Sequence, residues 1–353
     1  MKARLVIDEA VGERRRIVLD EQGRPFRINV ERWSEKGRRV LLDQVRWGRV
    51  KARIPGNRGW FVDLGVGPDG VVEPTKAARV VEGAMLAFRV KSEAWSDKGP
   101  VLSLADMSPS AMPPKEPLLH ADPAEDALVS GVEIVETLTG AEARKIADAA
   151  IDDALAATVA LTGGGDIGID VTRAATVIDV DGADRKGGGD AERFALELNV
   201  LAAEAAARQV SLRGLGGLVF VDFVSMNEPA SRRGVVQRFR DQLALYLGRS
   251  SDVLELTRFG VCEAAVARRV RPLRDAVSAS AAERGALDVL RLLETAGEQD
   301  RAGRLKARVS GAAAEWLGAD RIGWREALAG RIGPRWTIET ADGAGGPPQV
   351  WSE

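Results

Sequence analysis

Two short stretches place carboxylates where they could act together. Val177-Ile178-Asp179-Val180-Asp181-Gly182 reads as a strand, and because side chains alternate along a strand, Asp179 and Asp181 project from one face. In Leu218-Val219-Phe220-Val221-Asp222 an apolar run ends in an acid. If the two strands are neighbours, Asp222 joins the first pair. Carboxylates this close repel unless a cation sits between them, and Mg²⁺ is typically held by one or two carboxylates with water in the remaining positions. The chemistry open to the group is therefore metal-assisted. An Asp at a strand end also serves as a turn cap, and spacing alone leaves both readings open.

A second group mixes aromatics and cations. Trp47, Trp60, Phe61 and Trp95 lie among Arg46, Arg49, Lys51, Arg53, Arg58 and Lys98. Cations neutralise phosphates and aromatic faces stack bases, the pairing used by single-strand binders on small barrels. Alternation sends either Trp60 or Phe61 into a core, so only part of the set can face a ligand. A third group is arginine-rich: Arg232, Arg233, Arg238, Arg240, Arg258, Arg268, Arg269, Arg271 and Arg274. Each can grip a phosphate bidentately or simply line a solvated helix face. The single histidine, His120, and the single cysteine, Cys262, cannot build a disulfide, a Cys/His zinc site or multi-histidine chemistry. His120 falls in a proline-rich stretch, and Cys262 sits on a helical pattern that reads as core.

The elements that must position these groups come in blocks. With 353 residues, 45% of them hydrophobic, the chain can build two or three cores. Residues 1–35 read as an N-terminal β segment. Residues 36–106 hold short strands at 40–42, 45–50, 59–64, 70–74, 85–90 and 101–104, separated by turn residues as in a small closed barrel. Residues 107–128 form a linker, with five prolines between 108 and 125. Residues 129–160 connect through a helix that starts near 141 and carries Ile146, Ala149, Ala150, Ile151 and Leu155 on one side. Residues 161–275 form an α/β unit, with strands at 167–171, 175–180, 218–223 and 253–256. Its helices fall at 190–212, 229–247 and 261–270, with the Gly187-Gly188-Gly189 loop before the first. Residues 283–342 are a small C-terminal α/β unit, and 343–353 a loose tail.

Charge narrows the partners. Fifty Lys and Arg against 52 Asp and Glu give a net charge of −2, which excludes a globally basic coat. The balance is polarised, however: residues 36–60 carry eight basic and one acidic side chain, whereas 121–154 carry nine acidic and two basic. No apolar run reaches the length of a membrane span, and the charges spaced through the first sixteen residues do not fit a signal peptide. The expectation is a reduced, cytoplasmic protein with no membrane partner.

Across residues 163–271 run Ile178-Asp179-Val180-Asp181, Gly188-Gly189-Asp190, Asn199 with Ala202-Ala203, Arg213-Gly214-Leu215-Gly216-Gly217 leading to Asp222-Phe223, and Arg258-Phe259-Gly260. In that order these motifs closely resemble the catalytic core of the ribonuclease E/G family. Phe61-Val62-Asp63-Leu64-Gly65 and Asp97-Lys98-Gly99 resemble motifs of the family's S1 domain, and 286–339 resembles its small C-terminal domain. The implied fold class is α+β. It comprises an S1/OB-type β-barrel, an α/β DNase I-like catalytic domain with remnant RNase H-like elements, and a small C-terminal α/β domain.

The resemblance implies a Mg²⁺-dependent, single-strand-specific endoribonuclease that leaves a 5′-phosphate and a 3′-hydroxyl, with Mn²⁺ as a possible substitute ion and no zinc. Its catalytic residues would be Asp179, Asp181 and Asp222, with Asp179 and Asp222 as the metal ligands. Phe61 would stack a base, while Lys98 and Arg258 would grip phosphates of single-stranded RNA. Four departures stand out. Asp181 replaces the family's Asn, Val71 replaces its second S1 aromatic, the Cys-Pro-x-Cys zinc linker is absent after Arg271-Pro272-Leu273, and only some fifty-five residues separate the barrel from the catalytic segment. That spacing leaves no room for the family's 5′-monophosphate sensor, so 5′-triphosphorylated and 5′-monophosphorylated RNA are expected to be cut about equally. Without the zinc linker, a monomer or weak homo-oligomer is expected. The rival reading is a catalytically weak or inactive RNA-binding protein on the same scaffold.

Overall fold

The computed structural model describes residues 1–353 except 57, 74–79, 107–111, 124–125, 183–184, 186–189, 249–250, 278–279 and 342–345. The Gly187-Gly188-Gly189 loop lies outside the described residues, as do Gly188 and Gly189 of the resembling motif.

The chain opens with an antiparallel meander: β1 (Lys2–Ala10), β2 (Glu13–Leu19) and β3 (Pro25–Arg32). It then leaves this sheet to build the barrel from β4 (Val45–Arg53), β5 (Trp60–Asp63), β6 (Gly70–Val72), β7 (Met85–Ser92) and β8 (Val101–Leu104). These pair in the order β5-β6-β8-β7-β4, and β5 pairs back onto β4 to close the ring. Val50, Val62, Leu64, Val72, Phe88, Val90 and Leu102 fill its interior. Two expectations are corrected here. Residues 40–42 are not a strand. The proline-rich stretch contains a sixth strand, β9 (Leu118–Ala121), hydrogen-bonded to β4 on the outside of the ring; there the alternation of an extended segment finds a free strand edge that the prolines on either side do not block.

After the barrel the chain returns to the first sheet. β10 (Glu133–Leu138) adds parallel to β1, giving the order β10-β1-β2-β3, and α1 (Gly140–Leu155) covers it. The face that α1 buries is Ala143, Ala147, Ala150 and Ala154, packed in part on Val6, Ile17 and Leu19. This corrects the expected face: Leu155 and Ala149 are exposed. Small residues spaced at i, i+4 and i+7 let the helix approach the sheet closely, so an alanine stripe outcompetes a stripe of larger residues.

The third unit is a six-stranded sheet in the order β11-β12-β13-β14-β16-β15. Its elements are β11 (Thr158–Ala160), β12 (Asp166–Val171), β13 (Ala175–Asp181), α2 (Ala191–Leu212), β14 (Gly217–Asp222), α3 (Pro229–Leu247), β15 (Ser251–Val253) and β16 (Val261–Val266). Residues 261–266 are therefore a strand, not the start of a helix. Alternating burial of Cys262, Ala264 and Val266 matches period two, and the antiparallel edge of β14 overrides the helical propensity of the alanines. Helices α2 and α3 pack on one face, where Leu198, Ala202, Ala206, Phe239 and Leu243 meet Ile178, Val180, Val219 and Val221. Asp190 caps α2, its carboxylate accepting from Glu192 N at 2.9 Å.

The final unit holds α4 (Leu273–Val277), α5 (Ala281–Gln299), β17 (Leu305–Val309), α6 (Gly311–Gly318), α7 (Trp324–Ile332), β18 (Trp336–Thr340) and β19 (Gln349–Ser352). β19 pairs with β17, so the expected loose tail in fact ends in a strand. This unit is fastened to the first sheet by a buried carboxylate. Glu294 accepts from Val11 N at 2.7 Å, Arg144 at 2.6 Å and Arg331 at 2.9 Å. Among the described residues no helix is long and apolar enough to cross a membrane.

Candidate functional site

Strand alternation decides where the acids point. On β13, Thr176, Ile178 and Val180 are buried under the helices, while Val177, Asp179 and Asp181 face outward. On β14, Val219 and Val221 go inward and Leu218 and Asp222 are exposed. The strands are parallel neighbours, in a register that sets Asp179 beside Asp222, one strand spacing of about 4.8 Å apart. Gly168 of β12 flanks Asp179 on the other side; a Cβ there would meet nothing within 4 Å, so the space around the carboxylate is open. Asp181 lies across from Asp166 of β12.

Among the described residues, no hydrogen bond or ion pair engages Asp179 or Asp222, and no group of three or more His, Cys, Asp or Glu is arranged to hold a metal ion. The site thus offers two free carboxylates rather than a closed cage. Two adjacent oxygen donors with open space beside them fit a hard divalent cation that keeps most of its water. Asp166, Asp170 and Glu263 share the same face by alternation, so it is strongly acidic.

The motif residues around the pair are structural. Buried Asn199 of α2 clamps the backbone just past Asp222: its Nδ2 donates to Val224 O at 2.7 Å, and its Oδ1 accepts from Val224 N at 3.0 Å. Arg213 donates to Gln209 Oε1 at 2.7 Å and to Ala156 O at 2.8 Å, and burial pulls its pKa down. At Gly216 a Cβ would come within 2.7 Å of Arg268 Cγ, and at Gly217 within 2.3 Å of Arg268 Nη2. The glycine pair is a bed for the Arg268 side chain.

The structure sorts the expected cations. Helix α3 lies on the covered face of the sheet, away from the acids. Arg232 donates to the carbonyls of Met226, Leu256 and Thr257, Arg238 pairs with Glu204, and Arg240 reaches Val253 O. Arg269 pairs with Asp43, and Arg271 with Glu35. These arginines fasten the fold. Arg258 is placed differently, at the segment leading into β16, its guanidinium 4.6 Å from the centre of the Phe259 ring.

On the barrel, Phe61 is 37% exposed and stands opposite Val71 on the neighbouring strand. Trp60 is the member of the pair that packs on the core, with Arg53 over its ring at 5.4 Å. Trp47 is buried against His120. Arg46 is buried, donates to Leu64 O and has its pKa lowered by desolvation. Lys51 pairs with Asp69 at 2.8 Å. Lys98 rests 4.8 Å from the Trp95 ring, whose other cation, Arg268, lies at 4.2 Å. Phe61 and Lys98 therefore sit on the barrel, while Asp179, Asp222 and Arg258 sit on the sheet.

Comparison with known proteins covers the sheet. The model of the Ribonuclease E/G family matches residues 124–269. Through that segment, the chain is similar to the ribonuclease E/G family. The similar proteins include Ribonuclease E of Haemophilus influenzae, 42% identical over 113 residues, which is 32% of this chain and 12% of that protein. Ribonuclease E of Escherichia coli K12 is 39% identical over 113 residues, 32% of this chain and 11% of the relative. Ribonuclease G of Escherichia coli K12 is 35% identical over 94 residues, 27% and 19%. The matched part thus spans only a tenth to a fifth of these relatives' length. The matched segment contains both carboxylate strands, their helices and Arg258, while the barrel lies outside it.

Sequence reasoning missed Phe259. It is 73% exposed, and its signal was a large aromatic caught between a cation and a glycine at a turn.

Proposed function

We propose that the chain is a Mg²⁺-dependent, single-strand-specific endoribonuclease acting in RNA processing or decay. The observation that carries the reading is the in-register pairing of Asp179 and Asp222 on neighbouring parallel strands, both exposed and without a protein partner among the described residues. On this reading the ring of β4–β8 is an S1/OB-type domain, the six-stranded sheet with α2 and α3 is DNase I-like, and the four-stranded sheet is an RNase H-like remnant. The protein works in the cytoplasm as a monomer or weak homo-oligomer.

Asp179 and Asp222 would hold the ion, and Mn²⁺ would substitute for it. Bound there, Mg²⁺ would lower the pKa of a water and offset charge on the phosphate. The water oxygen bonds to phosphorus and the bond from phosphorus to the 3′ oxygen breaks. The 3′ oxygen leaves with a proton as a hydroxyl, and the phosphate stays on the 5′ end of the downstream fragment. Asn199 holds the backbone after Asp222 fixed, which keeps the carboxylate pair in register. The acidic face repels RNA in the absence of a cation, so cleavage should depend strictly on the metal. Arg258 offers a phosphate contact beside the pair, and Phe61 and Lys98 hold the strand on the barrel.

The test is cleavage of a single-stranded A/U-rich oligoribonucleotide. Asp179→Asn and Asp222→Asn should each lower Mg²⁺-dependent cleavage by more than about a hundredfold, beyond what loss of a supporting outer-shell group costs, with RNA binding nearly intact. Cleavage that survives both substitutions sinks the reading. One observation favours the rival, a weak or inactive RNA binder: Asp181, across from Asp166, adds negative charge where the substrate phosphate must come. If the wild type binds RNA but cuts nothing in Mg²⁺ or Mn²⁺, the rival stands.

A further inference from the structure

We infer that Phe259 is a base-stacking platform beside the carboxylate pair, with the Arg258 guanidinium backing its ring. The inference rests on the ribonuclease reading and names the part of the substrate held there: an unpaired nucleobase next to the scissile phosphate.

The ring is out of place by packing criteria. An exposed Phe forgoes the favourable burial of a large apolar ring, and a pliant loop would fold the side chain down. This loop is held. Thr257 N donates to Val261 O at 2.9 Å, Gly260 N to Thr257 O at 3.1 Å, and Val261 N to Thr257 Oγ1 at 3.2 Å. Arg232 on α3 fixes the Leu256 and Thr257 carbonyls from behind. Gly260 takes φ +93°, and a Cβ there would press on Phe223 O at 3.2 Å. The turn that lifts Phe259 is thus built against the backbone one residue past Asp222, and Val261 is the strand partner of Asp222 itself.

Electrostatics say what such a ring can hold. The surrounding face carries Asp179, Asp181, Asp222 and Glu263, a field hostile to a polyanion's backbone. A nucleobase is neutral and can be anchored in that field by stacking, while the Arg258 guanidinium at 4.6 Å covers one face of the ring and leaves the other for a base. A base stacked on protein has left its neighbours in the strand, which a duplex resists. The platform would therefore contribute to single-strand selectivity at the sheet, independently of the barrel.

The experiment measures binding without divalent ions, using single-stranded oligoribonucleotides in which each position in turn lacks its base. In the wild type, one position should weaken binding about tenfold when its base is removed, within the range that stacking supplies. Phe259→Ala should lose the same factor on the intact oligonucleotide and become insensitive at that position, while Phe259→Trp retains both. A flat scan, or unchanged binding by Phe259→Ala, overturns the inference. It is also overturned if Phe259→Ala leaves RNA binding alone but abolishes self-association in sedimentation, since the ring then packs on a second copy. Cleavage by the wild type in Mg²⁺ is read separately, so failure of the stacking platform and failure of the nuclease reading give different results.

Discussion

Trp95 on the barrel and Phe259 on the sheet each carry an arginine over the ring, yet they are opposite kinds of site. Trp95 holds two cations, Arg268 at 4.2 Å and Lys98 at 4.8 Å. Arg268 reaches it across the bed left by Gly216 and Gly217, and the backbone around it is stitched across the joint by Glu93 N to Arg269 O at 2.8 Å and Ser96 N to Asp275 at 3.2 Å. The ring is used up in joining the barrel to the strand that carries Asp222. Among the described residues Phe259 has one cation, and 73% of its surface is open. The same pairing of aromatic and base thus makes a joint in one place and a reading surface in the other. What separates them is whether the faces of the ring are already spent.

The largest expected effect breaks the joint. Trp95→Ala removes two cation–π contacts worth about 0.5–2 kcal/mol each, so stability should fall by about 1–4 kcal/mol in urea unfolding. Phe259→Ala, at an open surface, should change stability by no more than about 0.5 kcal/mol. Gly217→Ala sharpens the contrast. At φ +93° and 2.3 Å from Arg268, an added methyl should push the guanidinium off Trp95 and reproduce the Trp95→Ala loss without touching the barrel. Equal stability losses at Trp95 and Phe259 would erase the distinction between joint and platform.

A smaller effect concerns the field in which Phe259 works. Asp181→Asn removes one exposed charge from the acidic face, and exposed charge interactions are worth about 0.2–1 kcal/mol. The RNA affinity of the variant should rise roughly 1.4- to fivefold above that of the wild type at low salt and converge with it at high salt. If the base at Phe259 is the anchor that tolerates the acids, the Phe259→Ala penalty should shrink in the Asp181→Asn background. A penalty that grows instead would mean that stacking and charge do not oppose one another here.

How much of this was legible in the sequence follows from which signals are local. The alternation of β13 is strictly local, and it put Asp179 and Asp181 on one face; the outward position of Asp222 at the end of its apolar run, and the parallel register that joins it to Asp179, needed the fold. Residues 261–266 read as helix because alanine propensity is local, while the β14 edge that claims them is forty residues away. The alanine face of α1 and the β19 pairing at the end of the chain were hidden for the same reason: a sheet supplies the partner. The arginines misled in another way. Composition counts cations but not their carbonyls and carboxylates, and Arg232, Arg240 and Arg271 are taken up by such partners. Phe259 went unread because exposure is a property of the turn, which Gly260 hints at and the Arg232 bonds decide.

Rigidity of that turn is the remaining premise of the comparison, and Cys262 reports on it. The thiol lies three residues from Phe259, fully buried on β16, its Sγ donating to Leu254 O at 3.6 Å. Burial away from water pushes its pKa up to about 12, so at pH 8 only about one thiol in ten thousand is ionised, and alkylation requires the thiolate. Native protein should therefore react with iodoacetamide at least about a thousandfold more slowly than urea-unfolded protein, whose thiol titrates near its ordinary value. The native rate should rise with pH as the thiol ionises, until it reaches the rate at which the strand opens. Fast native alkylation at pH 8 would show that β16 and its turn open readily. The exposure of Phe259 would then be one frame of a moving loop, and the contrast with the half-buried ring of Trp95 would be a difference in mobility rather than in use.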